Sequence, residues 1–172
     1  EGHGAVRAWA DVQRGQLVGG VADVGLSQVR ATLGPKLEPL ALRSVTGRFG
    51  ALQLADGFEV TTKDLAFVAD DGLSSPGADL YFRYNGGGAS ARAATAATAA
   101  QAAQEQGELR ANRLDLAVIA QIAGRLPLDE KAREVLAHIA PRGLAQDVQA
   151  SWQGPLSQPR QYQAVGAISD LS

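Results

Sequence analysis

The sequence predicts a mainly β protein with a helical hairpin, an α+β arrangement in which about eight or more antiparallel strands form the sheet. Three observations predict it. Apolar and polar residues alternate over much of the chain, turn residues recur between those runs, and one stretch, 115–140, changes to the helical period. That stretch carries no catalytic residues, so the pattern points towards a sheet with an apolar face and away from an enzyme.

In the first strand, Ala5 to Val12, the even positions Val6, Ala8, Ala10 and Val12 are apolar while Arg7 and Asp11 face the other way, as in a half-buried strand. Gly19-Gly20 interrupts the next run and suggests a bend or bulge. Val24 and Leu26 share one face, whereas Val29, Ala31 and Leu33 are out of phase by one residue. A slip of one residue reverses the inward side, so a bulge or short turn is expected at Ser27-Gln28. Gly34-Pro35 ends the strand, and Pro39 keeps the following segment extended.

Ser44 to Leu54 reads as a strand with Val45, Gly47, Phe49 and Ala51 on one face. Ala55-Asp56-Gly57 is a hairpin turn in which glycine supplies positive φ. Phe58 and Val60 open the partner strand, Lys63-Asp64 breaks its phase, and Leu65 and Phe67 continue it. Asp70-Asp71-Gly72 turns again, and Pro76-Gly77 leads into a strand with Leu80, Phe82 and Tyr84 inward. Successive hairpins of this kind make an antiparallel meander.

Residues 86–106 are a low-complexity, Ala-rich insert, expected as an exposed loop or frayed helix because it has no apolar stripe with which to dock. Gly107 to Leu114 resumes the sheet with Leu109 and Ala111 on one face, and Asp115 can cap the first helix. The apolar stripe of that helix is Leu116, Ile119, Ala120, Ala123 and Leu126, and Pro127 stops it. Asp129 and Glu130 begin the second helix, whose stripe is Ala132, Val135, Leu136 and Ile139 before Pro141 and Gly143. Two closing strands carry Val148, Ala150 and Trp152, then Tyr162, Ala164, Gly166 and Ile168, with Gly154-Pro155 between them.

At 172 residues the chain is one domain or one slice of a longer protein. The formal charge of −2, with both signs interspersed, gives no footprint for nucleic acid. There is no cysteine, so disulfides and thiol chemistry are excluded. No run of about 18 apolar residues is present to cross a membrane as a helix. The start at Glu1, without Met or a signal-peptide pattern, is expected of a fragment or processed product whose anchor or export signal lies upstream.

Catalytic and metal chemistry find little support. His3 is expected to be a disordered terminal residue, and Glu134 with His138 to be a solvated helix pair; no third ligand stands at zinc spacing. Ser74-Ser75 lacks the flanking glycines of a nucleophile elbow, and Gly86-Gly87-Gly88 lacks the Gly-Lys-Ser/Thr ending of a phosphate loop. Asp70-Asp71 and Asp129-Glu130 are explained by a turn and a helix start. No enzymatic activity and no cofactor are therefore expected.

Several phrases resemble a known family. Pro39-Leu-Ala-Leu-Arg-Ser-Val-Thr-Gly-Arg48, Asp71-Gly-Leu-Ser-Ser-Pro76, Asp79-Leu-Tyr-Phe-Arg83 and Gly107-Glu-Leu-Arg-Ala-Asn-Arg-Leu-Asp-Leu116 are similar to successive motifs of the YhdP proteins. So are Arg125-Leu-Pro-Leu128, Ala140-Pro-Arg-Gly143 and Trp152-Gln-Gly-Pro155, with the Ala-rich insert as the departure. These are large AsmA-like proteins of the Gram-negative envelope. The resemblance implies residues 1–172 to be one segment of a curved antiparallel β-groove, in a periplasmic protein whose parent is anchored in the inner membrane. It further implies phospholipid as partner, carried between inner and outer membrane in support of the permeability barrier.

On that reading, acyl chains lie against Phe49, Phe58, Val60, Phe67, Leu80, Phe82 and Trp152. About eight strands at roughly 4.8 Å spacing give a path of about 40 Å. An ordinary closed core produces the same alternation, so two alternatives stand beside it. The helix pair fills the apolar face, or the segment is an interaction module whose sheet edges pair with neighbouring segments of the same parent or with other envelope proteins. A transmembrane barrel would need aromatic girdles, and the aromatic residues here are few.

Overall fold

The structure, a computed structural model, describes residues 2–32, 37, 39–86, 105–122, 125, 142–155 and 159–169. The chain forms β1 (His3–Gln13), β2 (Gln16–Ala31), β3 (Leu40–Gln53), β4 (Gly57–Ala69), β5 (Ser74–Asn85), β6 (Gln106–Asp115), α1 (Leu116–Ile122), β7 (Leu144–Gln153) and β8 (Gln161–Ser169). Each strand pairs antiparallel with the next in one eight-stranded sheet. The sheet is open, with β1 and β8 as its edges. Much of the Ala-rich insert, the second helix of the hairpin and the Glu134–His138 pair lie outside the described residues.

Local chemistry sets the turns. Between β1 and β2, Arg14 (φ 52°) and Gly15 (φ 78°) both take left-handed conformations, the two-residue connection whose twist matches that of the flanking strands. The β4–β5 turn uses Gly72 at φ 88°, and Asp71 Oδ1 accepts from the Leu73 amide at 3.1 Å. Gly57 differs from expectation. It closes the β3–β4 turn, with the Leu54 amide donating to its carbonyl at 2.9 Å, but is not among the residues with positive φ. Its role is close approach: a Cβ there would stand 1.8 Å from the Tyr84 carbonyl oxygen of β5.

Bulges punctuate the long strands. Gln28 (φ 54°) lies between Leu26, opposite Val45, and Val29, opposite Leu42, so the slip expected at Ser27-Gln28 is an in-strand bulge. Asp64 (φ 51°) does the same in β4, where the register shifts between Thr62 and Leu65. Asp147 (φ 49°) lies at the shift in β7. Near the β4 bulge, Asp79 Oδ1 accepts from the Asp64 amide at 2.8 Å and Asn112 Oδ1 from the Asp79 amide at 2.9 Å. Two main-chain donors thus find acceptors in side chains of neighbouring strands. Opposite Gly19, the register shifts between Asp11 and Val12, a bulge where the paired glycines suggested one.

Burial is confined and uneven. Among the described residues the buried apolar ones are Leu42, Ala69, Ala111, Val118 and Ala145, mostly at the upper end of the sheet, where β2–β3, β4–β5 and β6–α1–β7 connect. Asp115 caps α1 as expected, its Oδ1 accepting from the Val118 amide at 3.0 Å. Val118, outside the expected stripe, is the buried residue of α1, whereas Leu116, Ile119 and Ala120 are half-buried. Arg125, just beyond α1, reaches Asp71 in the β4–β5 turn at 3.1 Å. Two expectations for β1 are corrected. The strand is exposed along its whole length, because it is an edge that no described element covers on either face, and His3 is not disordered but pairs with Ser27.

Candidate functional site

Directly opposed residues on antiparallel neighbours share a face. Following the register from edge to edge, Ala10, Gly20, Ala51, Val60, Phe82, Leu109, Ala150 and Ala164 form one row across all eight strands, without a polar side chain. Seven inter-strand steps make it roughly 34 Å long. Beside it runs Ala8, Ala22, Phe49, Thr62, Leu80, Ala111 and Val148. Towards the lower end, where β3–β4, β5–β6 and β7–β8 connect, lies a third row of Phe58, Tyr84, Gly107, Trp152 and Tyr162.

The structure brings six of the seven expected groove residues, Phe49, Phe58, Val60, Leu80, Phe82 and Trp152, onto these three rows. Phe67 joins the same face beyond the β4 bulge, beside Val45 and Leu26. All are half-buried except Phe58, which is 41% exposed. Among the described residues no large side chain on either face is fully buried. An apolar hollow of about 650 Å³ across β1–β4 is lined by residues of both faces, Phe49, Ala51, Phe58 and Val60 of this one and Trp9, Val21 and Leu52 of the other.

The rings form a connected ribbon. Phe58 lies 5.8 Å from Phe82 and 6.1 Å from Tyr84, and Phe82 lies 5.8 Å from Trp152, centroid to centroid. Phe82 and Trp152 belong to β5 and β7, so their rings meet across β6. Gly107 makes room for this, since a Cβ there would fall within 2.0 Å of the Trp152 ring. Two polar atoms on this face, Thr62 Oγ1 and Trp152 Nε1, are buried without a hydrogen-bond partner. Each such orphan costs about 1–3 kcal/mol. The Tyr84 hydroxyl instead donates to Glu105 Oε2 at 2.5 Å. Burial first, and the Glu105 carboxylate second, push its pKa up to about 12.

The opposite face is held in water by charge. Arg7, Asp23 and Arg48 stand side by side across β1–β3, and Arg48 grips Asp23 through two hydrogen bonds of 2.5 and 3.0 Å. The Arg48 hydrogen bond, the largest influence, holds the Asp23 carboxyl below the usual range. Glu59, Arg83 and Glu108 alternate in sign across β4–β6. Tyr81 donates to Glu59 at 3.0 Å, Arg110 sits 5.6 Å above the Tyr81 ring, and Arg110 pairs with Glu108 at 2.5 Å. Burial, then Glu59, raises the Tyr81 pKa. Laying hydrocarbon on this side would strip water from many charges, so most of it is unsuited to apolar ligands. Trp9, Val21 and Leu52 are exposed exceptions near the β1 edge.

Among the described residues nothing in this arrangement offers a nucleophile paired with a base. Among the described residues no three His, Asp or Glu side chains gather as a metal site requires. Among the same residues no helix is long and apolar enough to cross a membrane. What the arrangement does offer is one apolar surface, backed by a charged one and running from edge to edge.

The family model described as "YhdP protein" matches residues 1–172, the whole chain. The chain belongs to the YhdP family. Family membership suggests an AsmA-like protein of the Gram-negative envelope, and YhdP proteins are not a known enzyme family. Comparison with curated proteins and with solved structures returned no match.

Tyr84, Leu109, Ala150 and Tyr162 belong to the same face as the expected groove residues but were outside that set. Their period-two placement was the available signal. Alanine, leucine and tyrosine are common on any strand, so type alone did not single them out.

Proposed function

We propose that this segment shelters phospholipid acyl chains along its apolar face, as part of a periplasmic protein whose parent is anchored in the inner membrane. In this reading it contributes to phospholipid transport between inner and outer membrane and so to the permeability barrier. The observation that carries the proposal is the unbroken apolar row from Ala10 to Ala164, flanked by large side chains none of which is fully buried. Each methylene laid against such a surface gains about 0.8 kcal/mol. Binding of this kind is non-directional and needs no catalytic group, so chains can slide along the row.

A second reading, an interaction module of the envelope, draws on the edges. Every residue of β1 and β8 is exposed, and an uncovered edge strand presents unpaired main-chain groups to another chain. Native mass spectrometry of the purified chain separates the two. Sheltering predicts co-purified phospholipid on the monomer. Lipid-free dimers or higher oligomers would favour the module and count against sheltering.

A further inference from the structure

We propose that the lower row, Phe58, Tyr84, Trp152 and Tyr162, marks the lip where the polar head of a bound phospholipid sits, its acyl chains running up the strands towards the α1 end. This rests on the sheltering reading above. The two ends of the apolar face differ in chemistry. In the lower row three of the four large rings carry a polar atom, whereas the row across Val60, Phe82 and Leu109 has none. Rings with an apolar body and a polar tip favour a boundary that is greasy on one side and wet on the other.

The polar atoms of that row are placed accordingly. Tyr162 is 81% exposed, and the Tyr84 hydroxyl is drawn to Glu105 at the edge of the sheet. The Trp152 Nε1 is a buried donor without an acceptor, a feature packing alone leaves unexplained.

Dimensions agree. From Gly107 up β6 to Ala111 is four residues, roughly 13 Å of strand. One leaflet of a bilayer offers its tails about 15 Å, half of a hydrocarbon core of about 30 Å. Ala111 is 5% exposed and closes the apolar stretch of β6 on this face. A tail entering at the lower lip thus spans the apolar rows along β6 and ends at Ala111, short of Arg113, which stands exposed opposite Gln146.

The test uses the chain with Trp9→Phe, which leaves Trp152 as the remaining tryptophan and changes a half-exposed residue on the opposite face. The protein is loaded from vesicles of phosphatidylcholine brominated either near the head-group end or near the methyl end of one chain. Bound lipid is counted by mass spectrometry in each case. Trp152 is expected to lose more fluorescence with the head-proximal label. Equal or stronger quenching by the methyl-end label, with lipid bound, overturns the assignment of the lip and leaves sheltering intact. Bound lipid that quenches with neither label also overturns it. No bound lipid at all removes the sheltering reading and this inference with it.

Discussion

The two ends of the sheet use apolar residues in opposite ways. At the upper end small side chains pack until water is excluded: Ala69 is 0% exposed and Leu42 7%, with Val118 of α1 and Ala145 of β7 buried beside the same set of connections. At the lower end much larger side chains, Phe58, Tyr84, Trp152 and Tyr162, stay partly or largely exposed. A single-layer sheet buries a face only where another element lies on it, and among the described residues α1 is the one helix, in contact with β6. Apolar area alone is therefore a poor guide to stability here. The upper end is expected to hold the fold, and the lower end to hold the ligand.

The sharpest way to break this contrast is truncation at each end. Leu42→Ala should cost about 2–4 kcal/mol, as buried leucines do. Phe58→Ala, although it removes a larger side chain, should cost less, about 1–2 kcal/mol, because the ring is 41% exposed and its loss leaves no sealed cavity. Urea denaturation of both variants decides the matter, and equal losses would mean that the lower end is core as well. A smaller effect belongs to the α1 cap. Asp115→Ala should cost about 1 kcal/mol by freeing the Val118 amide, visible as a lowered denaturation midpoint with unchanged lipid content.

The smallest effect is alkaline. A tyrosine pKa raised from about 10 to about 12 means that the neutral form of Tyr84 is favoured by folding. Its contribution is complete below pH 10 and drains away as pH rises through 12, because ionisation puts a charge on a partly buried oxygen and, second, loses the donor to Glu105 and sets two negative charges together. Melting curves between those limits should fall more steeply for the native chain than for Tyr84→Phe. Parallel curves would show that neither the burial of the Tyr84 hydroxyl nor its contact with Glu105 favours the neutral form.

Much of this was legible in the sequence because period two survives where one face is kept apolar. The slip between Leu26 and Val29 and the break at Lys63-Asp64 could both be read, and in the structure each is a bulge with a non-glycine residue at positive φ. The groove residues followed from the same alternation. Other features depend on neighbours that pattern does not name. Gly57 stood at the expected turn, but what requires it is the Tyr84 carbonyl on the next strand. Gly107 looked like a strand start, and only the register reveals the Trp152 ring across it. The exposure of β1 was hidden because alternation reports which side is apolar, not whether anything covers it. Val118 was missed because helical periodicity located a stripe without locating the sheet end it meets.

The most direct measurement is the phospholipid retained by Phe82→Glu, read beside its melting temperature. Phe82 sits at the centre of the apolar row, between the Phe58 and Trp152 rings. If this face is an open surface for hydrocarbon, the variant stays folded with a near-native melt and loses its bound lipid. A variant that unfolds, as a charge forced into a sealed core would make it, or one that keeps its full complement of lipid, contradicts the account.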